Sequence, residues 1–186
     1  MPRTAFVFAG GGSFGAVQVG MLHALVEHGV RADFVVGSSV GAINGAYFAG
    51  NPTLDGVVQL KRLWLGIRRS DVFPVSWRAA AGFLWRRDFL LSSAGLRTLV
   101  DTHLPYRQLE EAQIPVHIVA TNLLSGAAVV LSQGPAADAI LASSAIPAAF
   151  APVAIDGRYL VDGAITSNTP VKVAVALGAQ LSLIHI

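Results

Sequence analysis

The chain has 186 residues, of which 53% are hydrophobic and 13% are charged, with a net charge of +2 and a mean hydropathy of +0.58. This length suits about one domain with a core of its own, and the composition excludes an intrinsically disordered protein. The sequence contains no cysteine, which excludes disulfides and thiolate zinc sites.

The longest uncharged stretches are residues 34–54 and 112–137, and Gly, Pro, Asn and Ser interrupt both. Neither reads as a continuous apolar span of about 20 residues. The N-terminus places one arginine before an apolar run, as signal peptides do, but the run ends at Ala9 and glycines follow. We therefore expect no transmembrane helix, no signal peptide and a cytoplasmic location, with peripheral membrane contact left open.

The first part of the chain alternates between strands and helices. Apolar runs predict strands at residues 4–9 and 34–37, and helical periodicity predicts helices at 16–28, in a small-residue stretch ending at Gly50, and at 55–67. Such alternation is typical of right-handed βαβ units, whose parallel strands bring reactive groups together at their carboxyl ends. The sequence therefore predicts an α/β fold with a mostly parallel sheet.

The second part of the chain adds further short elements. We expect a helix capped by Ser93 and running through Val100, strands at 116–122 and 127–132, a short helix at 136–143, a hairpin on the turn Asp156-Gly157, and a last helix from Pro170 to about residue 177. No internal repeat or low-complexity linker divides residues 1–180. We interpret them as a single domain.

The last six residues, LSLIHI at 181–186, match the translation of one frame of a transposon-end adapter used in sequencing libraries. We therefore predict that the natural chain was cut near Gln180 and that this tail is not native. The alternative is a terminal β-strand, which the apolar residues permit. His185 lies in this tail and carries no functional argument.

A basic, tryptophan-rich segment occupies residues 61–87, with seven basic residues, one acid and all three tryptophans of the chain. Indoles and cations together suit a membrane interface with anionic lipid. The alternative is a solvated helical face with the tryptophans packed inward. No nucleic-acid-binding motif accompanies the patch, so we do not expect a nucleic-acid partner. The candidate membrane contacts are Trp64, Trp77, Trp85, Arg68, Arg69, Arg86 and Arg87.

A candidate nucleophile lies at the end of the second predicted strand, where Gly37-Ser38-Ser39-Val40-Gly41 matches the pattern G-x-S-x-G. A sharp strand-to-helix turn crowds the neighbours of the serine, so glycines flank it at a distance of two residues. Only Ser39 has glycines on both sides at this distance, which favours it over Ser38. Its hydroxyl would stand at a helix N-terminus, where the helix dipole favours negative charge.

The glycine-rich stretch GGGSFG at residues 10–15 permits two interpretations. Its backbone amides could stabilise an oxyanion, or the pattern G-x-G-x-x-G could bind the phosphates of a dinucleotide. A dinucleotide site wants an acid at the end of the second strand, about 20 residues further on. Asp33 instead precedes that strand, and the Ser39 turn occupies the strand end.

An activated serine needs a base within hydrogen-bonding distance. The histidines His23 and His28 lie on the first predicted helix, and His117 lies inside an apolar strand, where a structural role is more common. No histidine is a convincing partner of Ser39. Asp162 follows an apolar strand and precedes Gly163, although Asp-Gly taken alone is most simply a turn.

Taken together, GGGSFG at residues 10–15, GSSVG at 37–41 and DGA at 162–164 resemble the three signatures of bacterial patatin-like phospholipases. The stretch SSAIPAAFAPVAIDGRYLVDGAITSNTPV is similar to the family's approach to its aspartate. The resemblance extends from Ala5 to about Gly178. Together with the suspected adapter tail, it leads us to expect a C-terminally truncated fragment of such a protein.

The resemblance implies a three-layer patatin-like fold, with a central mostly parallel sheet flanked by helices. It also implies a serine lipid acyl hydrolase that needs neither a metal nor a cofactor and that serves lipid catabolism or membrane lipid remodelling. Carried over to this chain, Ser39 is the nucleophile, Asp162 is the general base, and the amides around Gly10, Gly11 and Gly12 form the oxyanion hole. The accompanying motif residues are Gly15, Gly37, Gly41, Gly163 and Ala164.

Two positions depart from the family pattern. Many members carry Arg or Lys before the last glycine of the loop, where this chain has Phe14, and Ala164 stands where glycine is common. Phe14 removes a cation that could assist the oxyanion. A membrane-binding regulatory protein with little turnover remains an alternative function.

Overall fold

A computed structural model describes residues 2–67 and 92–186 of the chain. The strands of these residues are β1 (Thr4–Phe8), β2 (Phe34–Ser38), β3 (Val116–Asn122), β4 (Ala128–Leu131), β5 (Val153–Ile155), β6 (Arg158–Asp162) and β7 (Leu181–His185). The helices are α1 (Gly15–Glu27), α2 (Val40–Gly50), α3 (Leu54–Gly66), α4 (Ala94–His103), α5 (Ala136–Ser143), α6 (Ala164–Ser167) and α7 (Val171–Ala176), with short 3-10 turns at Gly12–Phe14 and Leu109–Glu111.

The strands form one sheet in the order β5-β6-β3-β2-β1-β7, with β4 paired to β3. The strands β7, β1, β2 and β3 run parallel to one another, while β4 and β6 are antiparallel to β3, and β5 is antiparallel to β6. The predicted fold is confirmed as mixed α/β with a central, mostly parallel sheet flanked by helices. The antiparallel strands arise from short turns such as Asp156-Gly157, where both residues have positive φ.

Helices cover both faces of the sheet because each strand sends alternate side chains to opposite sides. On one face a large core contains Phe6, Phe8, Val35 and Ile118 with Leu22 of α1, Ala46 of α2, Leu60 of α3, Val100 of α4 and Ile140 of α5. On the other face a smaller core contains Ala5, Val7, Phe34 and Val36 with Ala174 of α7. The layers therefore order as helices, sheet and helices.

Strand β3 organises the site through an unusual sharing of one edge. Residues 118–121 pair with β4 on one edge, so β2, which pairs with residues 116–119, and β6, which pairs with 120–122, must share the other edge. Ser38 at the end of β2 lies opposite Val119, and Asp162 at the end of β6 lies opposite Ala120. The chain leaves β2 at Ser39 where β6 arrives with Asp162.

The predicted elements agree with these bounds to within a few residues, although the short helix α6 was not predicted and the start of α4 shows a local error. The predicted capping side chain of Ser93 makes no capping hydrogen bond. The hydroxyl of Ser92 instead accepts from the Ala94 amide at 3.2 Å. The side chain that bonds a backbone amide at the start of α4 therefore belongs to the serine one residue before the predicted one.

The tail at residues 181–186 contributes strand β7, which pairs with β1 from Thr4 opposite Leu181 to Phe8 opposite His185. Its apolar residues fit a sheet edge, as the strand alternative anticipated. Its adapter origin stays a prediction, as does the single domain over residues 1–180. Within residues 2–67 and 92–186, none of the helices has the length and hydropathy to cross a bilayer.

Candidate active site

Ser39 lies in the turn between β2 and α2 with φ 54° and ψ −125°, a backbone conformation that L-residues rarely adopt. The turn is tight on both sides of the serine. A Cβ on Gly37 would collide with the Gly41 carbonyl, and a Cβ on Gly41 would collide with the Phe8 carbonyl of β1. Glycine at both positions is therefore what lets the turn pack against β1, as the G-x-S-x-G pattern predicts.

The two adjacent serines have different environments. Ser38 is fully buried, and its hydroxyl has no hydrogen-bond partner within the part of the chain that the structure describes. Ser39 is half-buried and lines a cavity. Of the two hydroxyls, only that of Ser39 is therefore open to a substrate, in agreement with the choice made from the glycine spacing.

Asp162 lies beside Ser39 at the end of β6. The Ser39 hydroxyl donates to Asp162 Oδ2 at 2.7 Å, and the Ala164 amide donates to Asp162 Oδ1 at 2.8 Å. The backbone of Asp162 is also held, because its carbonyl accepts from Thr121 Oγ1 at 2.9 Å and its amide donates to the Ala145 carbonyl at 3.0 Å. One carboxylate oxygen therefore faces the serine while the other is fixed by the turn.

Asp162 is 4% exposed. Burial raises the pKa of its carboxyl above the ordinary value, while the hydrogen bonds from Ser39 and Ala164 lower the pKa and offset part of that rise. A carboxylate with a raised pKa is a stronger proton acceptor than one in water. The environment thus makes Asp162 more basic than an exposed aspartate.

Ser143 at the end of α5 connects the two halves of the site, and sequence reasoning missed it. Its hydroxyl accepts from the Ser39 amide at 2.9 Å and donates to the Val119 carbonyl at 2.6 Å. Its own carbonyl accepts from the Gly163 amide at 3.1 Å. The signal was a pair of serines, Ser143 and Ser144, directly after the apolar run at residues 139–142 of this helix.

The glycine loop approaches Ser39 through Gly10. A Cβ on Gly10 would lie 3.2 Å from Ser39 Cβ and 2.6 Å from Asn168 Oδ1, so only glycine fits there. The Gly10 amide already donates to the Asn168 carbonyl at 2.9 Å. Among the described residues, the amides of Gly11 and Gly12 have no such acceptor, which narrows the expected oxyanion donors to these two.

Phe14, which replaces the usual basic residue, is 60% exposed and lies next to Gly11. Its amide donates to the Gly11 carbonyl at 3.1 Å and closes the short 3-10 turn. Gly12 within this turn has φ 56°, which favours glycine. The loop is therefore shaped by its own backbone while its aromatic side chain faces solvent.

An apolar cavity of about 450 Å³ opens at Ser39. Its walls come from α2, α3, α4 and the segment after α5, and they include Ile43, Leu63, Trp64, Leu99, Ile146 and Phe150. Gly12 and Ser13 of the glycine loop lie at the same cavity. The serine hydroxyl and the loop therefore share an apolar chamber suited to a hydrocarbon chain.

Trp64 had two open interpretations, a membrane contact and an inward-packed ring. Its indole is half-buried, lines the cavity, and donates from Nε1 to the buried Asn44 Oδ1 at 2.8 Å. The inward-packed alternative is therefore right for Trp64. The other expected contacts, Trp77, Trp85, Arg68, Arg69, Arg86 and Arg87, lie outside the described residues.

The remaining alternatives for the site find no matching geometry in the described residues. His117 bonds Ser132 Oγ at 2.7 Å and packs edge-on against Phe34, and its pKa is lowered by burial and by the nearby Arg3. This is the structural role expected of it. Asp33 accepts from the Thr4 amide at 2.6 Å, at the end of the sheet opposite the glycine loop, so it cannot serve a dinucleotide bound there.

The structure thus brings together the turn at residues 37–41, which we call the elbow, Asp162 and the glycine loop at one end of the parallel strands of an α/β sheet. The sequence model of the patatin-like phospholipase family matches residues 6–175. The chain belongs to the patatin-like phospholipase family.

Relatives of known sequence and solved structures resemble the chain. An NTE family protein of Mycobacterium bovis is 31% identical over 98% of this chain and 48% of its own length. Patatin-like phospholipase domain-containing protein 7 of Rattus norvegicus is 28% identical over 95% of this chain and 13% of its own length. The crystal structure of VipD from Legionella pneumophila shares the fold, with a TM-score of 0.62 and 17% identity over 91% of this chain and 47% of that one. The chain thus spans about half the length of the mycobacterial relative.

Proposed function

We propose that the chain is a carboxylic ester hydrolase that cleaves fatty-acyl esters of lipids, of the phospholipase A, lysophospholipase or esterase type. The observation that carries this proposal is the 2.7 Å hydrogen bond from Ser39 Oγ to Asp162 Oδ2 at the mouth of an apolar cavity. A hydroxyl paired with a buried carboxylate is the arrangement that a nucleophile and its base require.

In the proposed reaction, Asp162 accepts the Ser39 proton while Ser39 Oγ attacks the ester carbonyl carbon. The tetrahedral intermediate collapses, the C–O bond to the alcohol breaks, and Asp162 returns the proton to the leaving oxygen. Water then attacks the acyl-enzyme with Asp162 again as the base, which releases the fatty acid and restores Ser39. The 2.7 Å contact allows direct transfer without a histidine.

The oxyanion of the intermediate would be stabilised by the amides of Gly11 and Gly12, which have no acceptor in the described structure. Each such donor is worth roughly 10²-fold to 10³-fold in kcat. Gly10 would contribute by close approach, because its small size brings the loop against Ser39. The N-terminus of α2 behind Ser39 adds a favourable dipole.

The acyl chain of the substrate would occupy the apolar cavity, whose lining from Ile43, Leu99 and Phe150 suits a hydrocarbon. Contact with a lipid surface is supported by exposed apolar side chains beside the site. Phe14 on the glycine loop is 60% exposed, and Ile146 at the cavity is 42% exposed. These would meet the acyl region of a lipid aggregate as the substrate enters.

The test is labelling by a fluorophosphonate together with fatty-acid release from defined lipids. Wild type should react with the probe and release fatty acid, Ser39→Ala should do neither, and Ser38→Ala, the matched control, should behave as wild type. Full hydrolysis by Ser39→Ala would sink the proposal. Vesicle binding without fatty-acid release by the intact protein would favour the regulatory alternative instead.

A further inference from the structure

A chain of three polar side chains connects the cavity wall to the glycine loop. Gln18 on α1 is 1% exposed and Asn44 on α2 is 0% exposed, while Trp64 on α3 is half-buried and lines the cavity. Buried amides without partners are costly, so both of these amides must be satisfied where they lie.

The hydrogen bonds run in one direction from the cavity to the loop. Trp64 Nε1 donates to Asn44 Oδ1 at 2.8 Å, and Asn44 Nδ2 donates to Gln18 Oε1 at 2.9 Å and to the Gly15 carbonyl at 2.9 Å. Gln18 Nε2 donates to the Ala9 carbonyl at 2.7 Å, with a longer bond of 3.3 Å to the His185 carbonyl. The nitrogen and the oxygen of each of the two side-chain amides therefore have a hydrogen-bond partner.

The accepting carbonyls mark the two ends of the glycine loop. Ala9 follows β1 directly, and Gly15 is the first residue of α1. The loop at residues 10–14 therefore lies between two backbone carbonyls that each accept a hydrogen bond from a buried side-chain amide. Trp64 also packs directly on the second anchor, since a Cβ on Gly15 would lie 2.5 Å from its Cζ2 atom. The loop itself has few other fixed points.

We propose that Gln18, Asn44 and Trp64 are positioning residues that hold the glycine loop, and with it the Gly11 and Gly12 amides, in register with Ser39. This inference rests on the proposed acyl hydrolase function. None of the three side chains is hydrogen-bonded to Ser39 or Asp162 among the described residues. Gln18 and Asn44 would act through the backbone of the loop, and Trp64, which also lines the cavity, would act by holding Asn44. Because a displacement of about 1 Å can cost on the order of 10²-fold in rate, small movements of the loop matter.

The experiment compares two variants that remove hydrogen bonds from this side-chain network with one variant that removes a similar hydrogen bond elsewhere. Trp64→Phe removes the Nε1 donor and keeps an apolar ring in the cavity, and Gln18→Met removes the donor to Ala9 at similar volume. Tyr106→Phe is the matched control, because Tyr106 donates a buried hydrogen bond to the Ala46 carbonyl of α2 at 2.9 Å. Trp64→Phe and Tyr106→Phe each lose one hydrogen bond. Gln18→Met loses the bond to the Ala9 carbonyl, the longer bond to the His185 carbonyl and the acceptor of the Asn44 amide, so Trp64→Phe is the variant that Tyr106→Phe matches in number.

The first readout is turnover of a soluble ester by each variant. Trp64→Phe and Gln18→Met should lower kcat by about 10-fold to 100-fold with KM changed by no more than roughly twofold, because the oxyanion is held only after attack. Tyr106→Phe should keep the wild-type kcat. Unchanged kcat in both loop variants, or an equal fall in Tyr106→Phe, would overturn the proposal while leaving the hydrolase function standing.

The second readout is independent of turnover and separates the two proposals. Amide exchange measured by NMR should accelerate at Gly10 and Phe14, whose amides bond Asn168 and Gly11, in the loop variants but not in Tyr106→Phe. If wild type hydrolyses no ester, the hydrolase function fails and this readout still tests the positioning role. Wild-type exchange at both amides in both loop variants would refute that role.

Discussion

The two backbone segments that meet at Ser39 are held in opposite ways. The elbow is enclosed: Gly37 and Gly41 touch neighbouring backbone, and Ser143 bonds both the Ser39 amide and the Val119 carbonyl. The glycine loop is open: residues 11–14 are exposed, and a Cβ on Gly12 would meet nothing within 4 Å.

This difference suggests a division of work. The nucleophile and its base need a fixed separation, and dense packing around the elbow supplies it. The oxyanion donors must be accessible to a bulky lipid. A loop that is exposed, yet held at its two ends by Gln18 and Asn44, meets this requirement. Substitutions of Gly37, Ser39 or Gly41 at the elbow should therefore abolish function or weaken folding, whereas those in the glycine loop should reduce the rate by degrees.

The largest effect is expected for the base itself. Asp162→Asn keeps an acceptor for the Ala164 amide but removes the proton acceptor facing Ser39, so kcat should fall by about 10³-fold or more. Ester hydrolysis at saturating substrate measures this fall. Asp33→Asn is the control, since the Asp33 carboxylate accepts from the Thr4 amide at the end of the sheet away from Ser39, and its kcat should equal that of wild type. A kcat for Asp162→Asn within tenfold of wild type would remove Asp162 from the mechanism.

Much of this site could be predicted from the sequence because it depends on local backbone requirements. The spacing of Gly37 and Gly41 around Ser39 reports a tight turn, and a turn is visible in a few residues. The pairing with Asp162 is not local, and only the order and context of the three signatures pointed to it. The edge of β3 that β2 and β6 share explains it afterwards.

The contacts that the sequence could not predict join residues far apart in the chain. The Gly10 amide was expected to face the oxyanion, but it bonds the carbonyl of Asn168, 158 positions later. The sequence left two interpretations of Trp64 open, a membrane contact and an inward-packed ring, and the structure shows its indole bonded to Asn44 on the neighbouring helix. Composition shows that a tryptophan is present in a basic segment, whereas tertiary packing decides which way its donor faces.

The next largest effect contrasts two Gly→Ala substitutions. Gly41→Ala places a methyl against the Phe8 carbonyl and should lower the free energy of unfolding by about 3 kcal/mol, since neither backbone can move without displacing β1. Gly12→Ala meets no neighbour and only strains a residue at φ 56°, which costs about 1 kcal/mol. Urea unfolding of both variants measures the difference. Equal losses would show that the elbow is no more constrained than the loop.

Activity and stability should both change with pH through the titration of one group, the carboxyl of Asp162 beside the elbow. Burial favours the neutral carboxyl of Asp162 and raises its pKa, so the stability gained from its protonated form is present below an ordinary value of about 4 and is lost as pH rises through the raised pKa. Activity needs the ionised form and should rise over the same interval. Asp162→Asn should therefore be more stable than wild type at pH 7 and lose this advantage in acid.

Thermal unfolding and kcat/KM measured across pH check whether the two transitions coincide. Ser39→Ala provides a further control, because the hydrogen bond from Ser39 lowers the pKa of Asp162 and its loss should raise that pKa further. The carboxyl signal of Asp162 in NMR reports it directly. An acid limb of activity that does not follow the Asp162 titration would assign the base to another group.

The smallest effect is expected at Ser38, the only residue of the elbow pair whose hydroxyl is enclosed. That hydroxyl is fully buried without a hydrogen-bond partner in the described residues. Its burial therefore lowers the free energy of unfolding through desolvation, and no hydrogen bond compensates for this loss. Ser38→Ala should leave the free energy of unfolding unchanged or raise it by up to about 1 kcal/mol, with kcat within roughly twofold of wild type. Urea unfolding and ester hydrolysis measure both values. A marked loss of activity in Ser38→Ala would mean that the buried Ser38 hydroxyl has a role in the reaction. Packing alone would then not account for the geometry of the elbow.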